Sequence, residues 1–300
     1  MFLMAADDER SPAKQPPAGG RLFVIATPLG NPADLSPRAR DALDHAEVIL
    51  AEDTRSARRL LMEAGLPPAS RTIVSCFDGN EADRAEEAVT WVAAGRTVAV
   101  VSEAGTPLVS DPGFRVVAAV AAAGLRVTPI PGPSAVLAAL MGAGLSPDRF
   151  TFLGFPPRKR GPRRRLFESV RTHPFTLLFY ESPLRTGETL ADLADVLGAD
   201  RRACVARELT KTHEEFVRDT LGALANRYRD DRPLGEITLV VAGAPLAEEP
   251  WTDEEVIEEA RQLLAGGTSA RDAADQVTPL ANRPRREVYA LITSLSRASS

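Results

Sequence analysis

Three loops rich in glycine and proline are the places where this sequence could first hold a small ligand. Each follows an apolar, strand-like segment, and together they cover Thr27–Asp34, Ser102–Gly113 and Pro131–Ser134. In open α/β sheets, ligands bind beyond the carboxyl ends of strands, where glycine admits a ligand close to the backbone and proline stiffens the loop. Gly105 and Thr106 would supply a backbone N–H and a hydroxyl. Alternatively, these glycines and prolines only form the turns that connect strands to helices. The residues alone indicate no particular ligand.

A dense run of positive charge marks a second candidate site, for an anionic ligand. The protein as a whole carries a net charge of -5, which mildly disfavours nucleic-acid binding. Its segment GFPPRKRGPRRR nevertheless holds six cations within eight residues: Arg158, Lys159, Arg160, Arg163, Arg164 and Arg165. Phosphate contacts from such side chains give salt-dependent affinity, and the three prolines predict an extended or looped segment. A solvated charged loop is the usual interpretation of such a run, and the position after a strand at the domain boundary counts toward an RNA contact.

Several common kinds of site are absent from the sequence. It has no phosphate-binding loop, no HExxH, no EF-hand, no GxSxG and no GxGxxG after a strand. The three histidines are scattered, and Cys76 and Cys204 lie far apart, so we expect no metal site. Two lone thiols fit a cytoplasmic protein. The apolar stretches are too short to span a membrane, and residues 1–20 predict a disordered tail rather than a signal peptide.

Strand-like and helix-like segments alternate from about Arg21, which predicts an α/β fold with a largely parallel sheet. The length of 300 residues is comfortable for two domains. A Gly/Pro/Asp cluster at Gly142–Asp148 separates a predicted first α/β domain, residues 21–142, from a second, residues 143–247. The composition changes after APLAEEPW, where an acidic amphipathic helix and a helix-turn-helix pattern predict a small helical appendage over residues 248–300.

Seven motifs occur in order along the α/β part: TPLGNPADLSPRA, AEDTR, VSEAGTPLVSDPG, PGPSAV, DRFTFLGFPPRK, FYES and ARELTKTHE. Their order and spacing resemble the ribosomal RNA small-subunit methyltransferase I family, which lies within the tetrapyrrole-methylase superfamily. One such motif would be weak evidence, whereas seven with matching gaps are specific. The resemblance covers Leu22–Gly243 and extends only loosely to the appendage.

The resemblance implies two α/β domains with S-adenosylmethionine bound between them, and a homodimer. The implied reaction is 2′-O-methylation of a cytidine in small-subunit ribosomal RNA near the decoding region, with the RNA or the 30S particle as partner. The cofactor contacts that it implies are Pro28, Glu103, Ala104, Gly105, Thr106, Ser134, Tyr180, Ala242, Gly243 and Ala244.

Such a reaction needs help at the ribose, because a ribose hydroxyl is a poor nucleophile and a nearby proton acceptor should assist it. The candidates for that acceptor are Glu103, Asp53, Glu208 and Lys211. The lysine qualifies only where burial or a neighbouring cation lowers its pKa. Each of them also has an ordinary explanation as a helix cap or an ion pair, and the sequence selects none.

This chain departs from the family pattern at two places. Glu103 stands where the family usually has Asp, and CFDGNE (Cys76–Glu81) replaces a histidine-rich segment, so no role of those histidines transfers. TPLGNPAD stands where the porphyrin branch normally has GxGxGD, which favours the RNA branch. Two alternatives stay open: a methyltransferase of the same fold that acts on a porphyrinoid or other small molecule, and an RNA-binding relative without catalysis.

Overall fold

The computed structural model describes the chain over residues 19–230, 232–245 and 250–298. The chain divides into two compact units, Met1–Ala244 and Pro245–Ser300. Nearly all of the predicted disordered tail lies outside the described residues. No described helix is long and apolar enough to cross a membrane.

The first sheet is wholly parallel, with five strands in the order β3-β2-β4-β1-β5. The strands are β1 (Arg21–Ile25), β2 (Val48–Ala51), β3 (Thr72–Ser75), β4 (Thr97–Val101) and β5 (Arg126–Ile130). The helices that follow them are α1 (Pro37–His45), α2 (Thr54–Glu63), α3 (Glu81–Ala93), α4 (Phe114–Ala122) and α5 (Ala135–Ala143). Helices cover both faces of a parallel sheet, which is why the central strands are continuous apolar runs rather than alternating ones.

Serine caps set where two of these helices begin. Ser36 Oγ accepts the backbone N–H of Ala39, and Pro37 occupies the first helical position, as the sequence predicts. Ser134 caps α5 in the same way. Because each serine ends a loop that follows a strand, the cap fixes the loop as well as the helix.

The second sheet is mixed, in the order β6-β7-β10-β8-β9, and only β6 and β7 are parallel. Its strands are β6 (Phe150–Phe152), β7 (Thr176–Glu181), β8 (Arg202–Arg207), β9 (Glu215–Thr220) and β10 (Ile237–Val241). Its helices are α6 (Arg160–Ser169), α7 (Thr186–Leu197) and α8 (Leu221–Arg227). The largely parallel arrangement that the alternation predicts is therefore found in the first sheet. In the second, β8 and β9 are joined by a short loop with no crossover helix, and such a connection requires an antiparallel pair.

Helix α5 follows the last strand of the first sheet and packs against the second sheet. Its buried residues Val136, Ala139 and Leu140 pack in one apolar cluster with Leu178 of β7 and Val240 of β10. Both sheets lie within the unit Met1–Ala244, and the predicted subdivision at residue 142 stays a prediction.

The second unit contains three helices in its described part, α9 (Asp253–Ala265), α10 (Ala270–Ala281) and α11 (Arg285–Ala298). Val256, Val277 and Ile292 are fully buried in its own apolar core. A capping box between Thr252 and Glu255 begins α9. The predicted helical appendage is thus a small helical unit with its own core.

Candidate active site

A cavity of about 430 Å³ lies where loops of the first sheet meet strand ends of the second. Its walls are the loop after β4, the start of α5, the loop after β6, the end of β7 and the start of β10. Sites for small ligands are typically about 300–1,000 Å³ in volume and occur at such junctions. The cavity is therefore the candidate site for a small organic ligand.

The three loops singled out by the sequence meet beside this cavity. Thr27 and Gly105 exchange backbone hydrogen bonds of 2.8 and 3.1 Å, and Thr106 Oγ1 donates to the carbonyl of Pro133 at 2.9 Å. Gly105 has a φ of +80°, a conformation that glycine adopts without strain. Glu103, Ala104, Gly105 and Thr106 all line the cavity. The loops thus form one wall, in which glycine is required by the backbone geometry.

The far end of the loop after β4 is held in an unusual conformation. Leu108 and Ser110 have φ values of 73° and 67°, which cost energy for residues other than glycine. The buried carboxylate of Glu81 accepts the N–H groups of Gly113 and Arg115, both at 2.8 Å, at the start of α4. Glu81 therefore anchors the segment that carries the strain. Sequence reasoning missed Glu81, although it belongs to the CFDGNE segment that departs from the family pattern.

Asp111 is a second residue that the sequence analysis did not select. It lines the cavity, and burial together with the neighbouring carboxylates Glu52 and Glu103 raises the pKa of Asp111 to about 6. Glu103 accepts a hydrogen bond from Ser56 Oγ at 3.3 Å. The wall formed by the loop after β4 is thus acidic, which suits a ligand that carries positive charge. The only sequence signal for Asp111 is its place in the SDPG end of a loop already chosen.

Lys211 and Glu208 form an ion-pair cluster next to the cavity. Lys211 Nζ donates to Glu208 Oε1 at 2.9 Å and to Glu236 Oε2 at 3.1 Å, and Glu236 lines the cavity. Burial alone would lower the pKa of Lys211, but the bonds to the two carboxylates outweigh it and raise the pKa. The bond to Lys211 lowers the pKa of Glu208. Lys211 therefore lacks the lowered pKa on which its prediction as a base depended, and it acts as a cation that organises two carboxylates.

Comparison with known proteins assigns the chain to a family. A family model described as Tetrapyrrole (Corrin/Porphyrin) Methylases matches residues 21–225. A protein of Synechocystis sp. named Ribosomal RNA small subunit methyltransferase I is 40% identical over 277 residues, which cover 92% of this chain and 98% of that protein. A protein of Mycobacterium bovis with the same name is 45% identical over 261 residues, 87% of this chain and 90% of its own length.

The chain belongs to the ribosomal RNA small subunit methyltransferase I family of tetrapyrrole methylases. It is therefore a methyltransferase, and the family expected from the seven motifs is confirmed. The fold agrees as well. The structure of uroporphyrin-III C-methyl transferase from Thermus thermophilus complexed with S-adenyl homocysteine superposes with a TM-score of 0.51 at 21% identity, over 74% of this chain and 97% of that one.

The cofactor contacts that the family resemblance implied are only partly brought together. Tyr180 lines the cavity, with its ring centroid 4.7 Å from that of Phe152 and 5.4 Å from that of Phe155. Burial raises the pKa of Tyr180 to about 12, so its hydroxyl stays protonated at neutral pH. Ser134 caps α5 next to the cavity residue Ala135. Pro28 borders a separate small hollow of about 20 Å³, while the next residue in the chain, Leu29, lines the main cavity.

The placement of Ala242–Ala244 at the cavity was wrong. The N–H of Ala244 donates to the backbone carbonyl of His173 at 2.7 Å, at the end of β10 away from the cavity. Because β10 runs antiparallel to β7, its first residues, Ile237 and Thr238, meet the carboxyl end of β7 and line the cavity instead. The family resemblance did not indicate the direction of β10 relative to β7. That direction decides which of the two ends of β10 lies at the cavity.

The basic segment of this family member is largely helical, not looped. Pro162 falls in the first turn of α6, where its missing N–H is tolerated. Arg163 is buried and donates to the buried Asp192 of α7, and Arg160 and Arg164 donate to the same carboxylate. Assigning Arg163 to an RNA-facing surface was therefore wrong, because its guanidinium is enclosed within the protein. Arg160 stays largely exposed despite its ion pair.

The remaining cations of the segment face solvent. Arg158, Lys159 and Arg165 are exposed, and their side chains form no ion pair with any residue that the structure describes. The cations of the segment thus have two roles. Arg160, Arg163 and Arg164 bind α6 to α7, whereas the exposed cations, beginning at Arg158, present positive charge close in sequence to the cavity residue Phe155.

Proposed function

We propose that this protein transfers a methyl group from S-adenosylmethionine to the 2′-oxygen of a cytidine in small-subunit ribosomal RNA near the decoding region, as a cytoplasmic homodimer. The observation that carries the proposal is the acidic cavity of about 430 Å³ whose wall at Phe155 continues into exposed cations. A cavity with carboxylates suits a cationic cofactor, and exposed Arg and Lys suit an RNA backbone. The relatives' shared name supports the RNA substrate.

The residues present fit this cofactor. When bound, S-adenosylmethionine supplies an electrophilic methyl carbon on a positively charged sulfur. Glu103 and Asp111 put negative charge in the cavity wall. A Cβ at position 105 would lie 3.0 Å from the side chain of Leu29, so Gly105 lets the two loops of this wall pack closely. Transfer is mainly a matter of holding the reacting atoms in line, which a rigid wall favours.

The proton acceptor is best sought among the carboxylates that face the cavity. Glu103 and Asp111 line it, whereas the carboxylate of Glu208 packs against Gly235 and is bound by Lys211. The pKa of Asp111, raised to about 6, suits a general base better than the lowered pKa of Glu208. We therefore propose Glu103 and Asp111 ahead of Glu208 and Lys211 as catalytic groups.

The proposal is tested by incubating the protein with labelled S-adenosylmethionine and 30S particles that lack the modification, and then mapping the label after digestion of the RNA. We expect a single 2′-O-methylcytidine near the decoding site. Label that enters porphyrinoid or other small acceptors but not the particle would favour the small-molecule alternative. Particle binding without cofactor binding would favour the non-catalytic relative.

Cofactor affinity should depend on pH through Asp111. Its pKa is raised to about 6, so the carboxylate is charged at pH 7.5 and becomes neutral as the pH falls through 6. We expect the affinity for S-adenosylmethionine to fall by up to about tenfold at pH 5, and that for S-adenosylhomocysteine, whose sulfur is neutral, to fall much less, because only the former carries the sulfonium charge. Isothermal titration calorimetry at a series of pH values measures both.

Two variants provide the controls for this pH dependence. Asp111→Asn should flatten the profile. Asp53→Asn should leave it unchanged, because the bond with Arg55 already holds the pKa of Asp53 at about 2. An unaltered pH dependence in Asp111→Asn would show that another group titrates.

We infer that the exposed face of α5 contributes to the homodimer. Met141 is 87% exposed and Leu137, one turn earlier on the same face, is half exposed. Exposed apolar side chains that form a pair on one face favour a protein contact over solvent. Met141→Glu should convert the dimer to a monomer in size-exclusion chromatography with light scattering, while Met62→Glu on α2 should stay dimeric. A dimeric Met141→Glu protein would move the interface elsewhere.

A further inference from the structure

Phe155 is an exposed aromatic ring in the wall of the cavity. It lines the cavity, yet 55% of its surface faces solvent. A single exposed apolar side chain is ordinary on a protein surface, but this one also forms part of the wall of a ligand-sized cavity. The ring therefore lies at the cavity mouth, where a second substrate would enter.

The backbone around Phe155 is fastened on both sides. The carbonyl of Gly154 accepts the N–H of Tyr180 at 3.0 Å, and the carbonyl of Pro156 accepts Arg185 Nη1 at 3.2 Å. Arg185 is in turn paired with the carboxylate of Glu181, which is fully buried. These bonds fix the backbone that carries the ring before any ligand arrives, so little backbone order has to be gained on binding.

The ring of Phe155 also packs against another aromatic ring, that of Tyr180. Its centroid lies 5.4 Å from that of Tyr180, with the planes at 57°. Aromatic pairs at this distance and tilt attract each other, which restricts the orientation of the exposed ring. The side turned toward solvent stays available to a planar group.

Exposed positive charge begins a few residues further along the chain. Arg158 and Lys159 follow Phe155 by three and four positions, a span of at most about 10–14 Å even if fully extended. An aromatic ring beside cations is the usual combination in sites for single-stranded nucleic acid, where bases stack on rings and phosphates meet Arg or Lys.

We propose that Phe155 is the platform on which the base of the target nucleotide stacks, so that its ribose is directed into the cavity while Arg158 and Lys159 hold adjoining phosphates. This inference rests on the proposed function. Where an enzyme draws one nucleotide of a folded RNA into a cavity, that nucleotide leaves its stacked neighbours, and stacking on a protein ring offsets part of the cost. Phe155 would then hold the base of the nucleotide whose ribose reaches the methyl group.

The test compares four variants with the wild type: Phe155→Ala, Phe155→Leu, Phe155→Trp and, as a matched control, Phe114→Ala. Phe114 is a similarly exposed phenylalanine on α4 that does not line the cavity. Three quantities are measured: the Kd for S-adenosylhomocysteine, the Kd for unmodified 30S particles by filter retention without turnover, and kcat/KM for the particle.

We expect Phe155→Ala and Phe155→Leu to weaken particle binding and kcat/KM by about tenfold or more, with the cofactor Kd within twofold of wild type. Loss of a stacked base commonly has effects of this size. Phe155→Trp should retain activity, and Phe114→Ala should be unchanged. An unaltered cofactor Kd also shows that the alanine variant is folded.

Three results would overturn the inference. Full activity of Phe155→Leu would mean that only apolar bulk is needed. A weakened cofactor Kd with unchanged particle binding would place the ring against the cofactor, and unchanged behaviour of Phe155→Ala would remove any role. Failure of the proposed function is separate, because the wild type itself would then leave the RNA unlabelled.

Discussion

Replacing Asp192 by alanine is expected to destabilise the Met1–Ala244 unit by about 3–5 kcal/mol, because the buried guanidinium of Arg163 loses its hydrogen-bonded counter-ion and keeps only Glu188, an exposed carboxylate at 3.6 Å. Both side chains are only 3% exposed, and two nitrogens of Arg163 donate to Asp192 Oδ2 at 2.9 and 2.7 Å. The melting temperature should fall by roughly 6–20 °C, measured by calorimetry. RNA affinity should fall further than stability alone explains, since α6 would lose its attachment to α7.

The matched control for this prediction is Asp195→Ala, one turn further along α7. Asp195 also pairs with Arg164 at 3.1 Å, but 59% of its side chain is exposed, and exposed pairs contribute about 0–1 kcal/mol. Equal destabilisation by the two variants would contradict the distinction between a buried and an exposed pair.

Removal of the Glu81 carboxylate should weaken the cofactor site from a distance. In Glu81→Ala the N–H groups of Gly113 and Arg115 lose their acceptor, which costs about 1–3 kcal/mol for buried groups. The strained conformation at Leu108 and Ser110 would then relax, and Asp111 would move with it. We expect the KM for S-adenosylmethionine to rise at least tenfold while kcat at saturation changes much less.

Glu81→Gln separates positioning from charge. Its amide oxygen can still accept the two N–H groups, so it should restore most of the cofactor affinity. Asp83→Ala, an exposed change in the same turn of α3, should behave as wild type. A fall in kcat with unchanged KM in Glu81→Ala would contradict a positioning role.

The sequence predicted the fold well because local signals and global arrangement agree. Strands of the first sheet are apolar runs bounded by glycine and proline, and Ser36 with Pro37 begins α1 as such a pair should. The loops that form the cavity wall could be identified from the sequence, because their glycines and prolines support contacts between loops that are distant in the chain. The mixed order of the second sheet was not accessible, since strand direction depends on pairings distant in sequence.

The charged residues were harder to predict, because their roles depend on partners far along the chain. Arg163 and Arg165 are equivalent in the sequence, but only Arg163 meets Asp192, twenty-nine residues away. Asp111 owes its raised pKa to burial, to the carboxylate of Glu52 on another loop and to that of Glu103 on its own loop. Lys211 was a candidate base until its two carboxylate partners were known. The sequence shows which residues carry charge, whereas their partners, burial and pKa depend on the folded structure.

The contact between Gly30 and Lys211 bears on how this chain can be recombined with its relatives. A Cβ at position 30 would lie 2.2 Å from Lys211 Cγ, so the lysine stem occupies the space that a side chain at position 30 would need. One residue comes from the loop after β1, and the other from the loop between β8 and β9. A hybrid that takes one sheet from each of two parents therefore inherits a steric mismatch wherever the second parent has a larger residue at position 30, and both loops must be exchanged together.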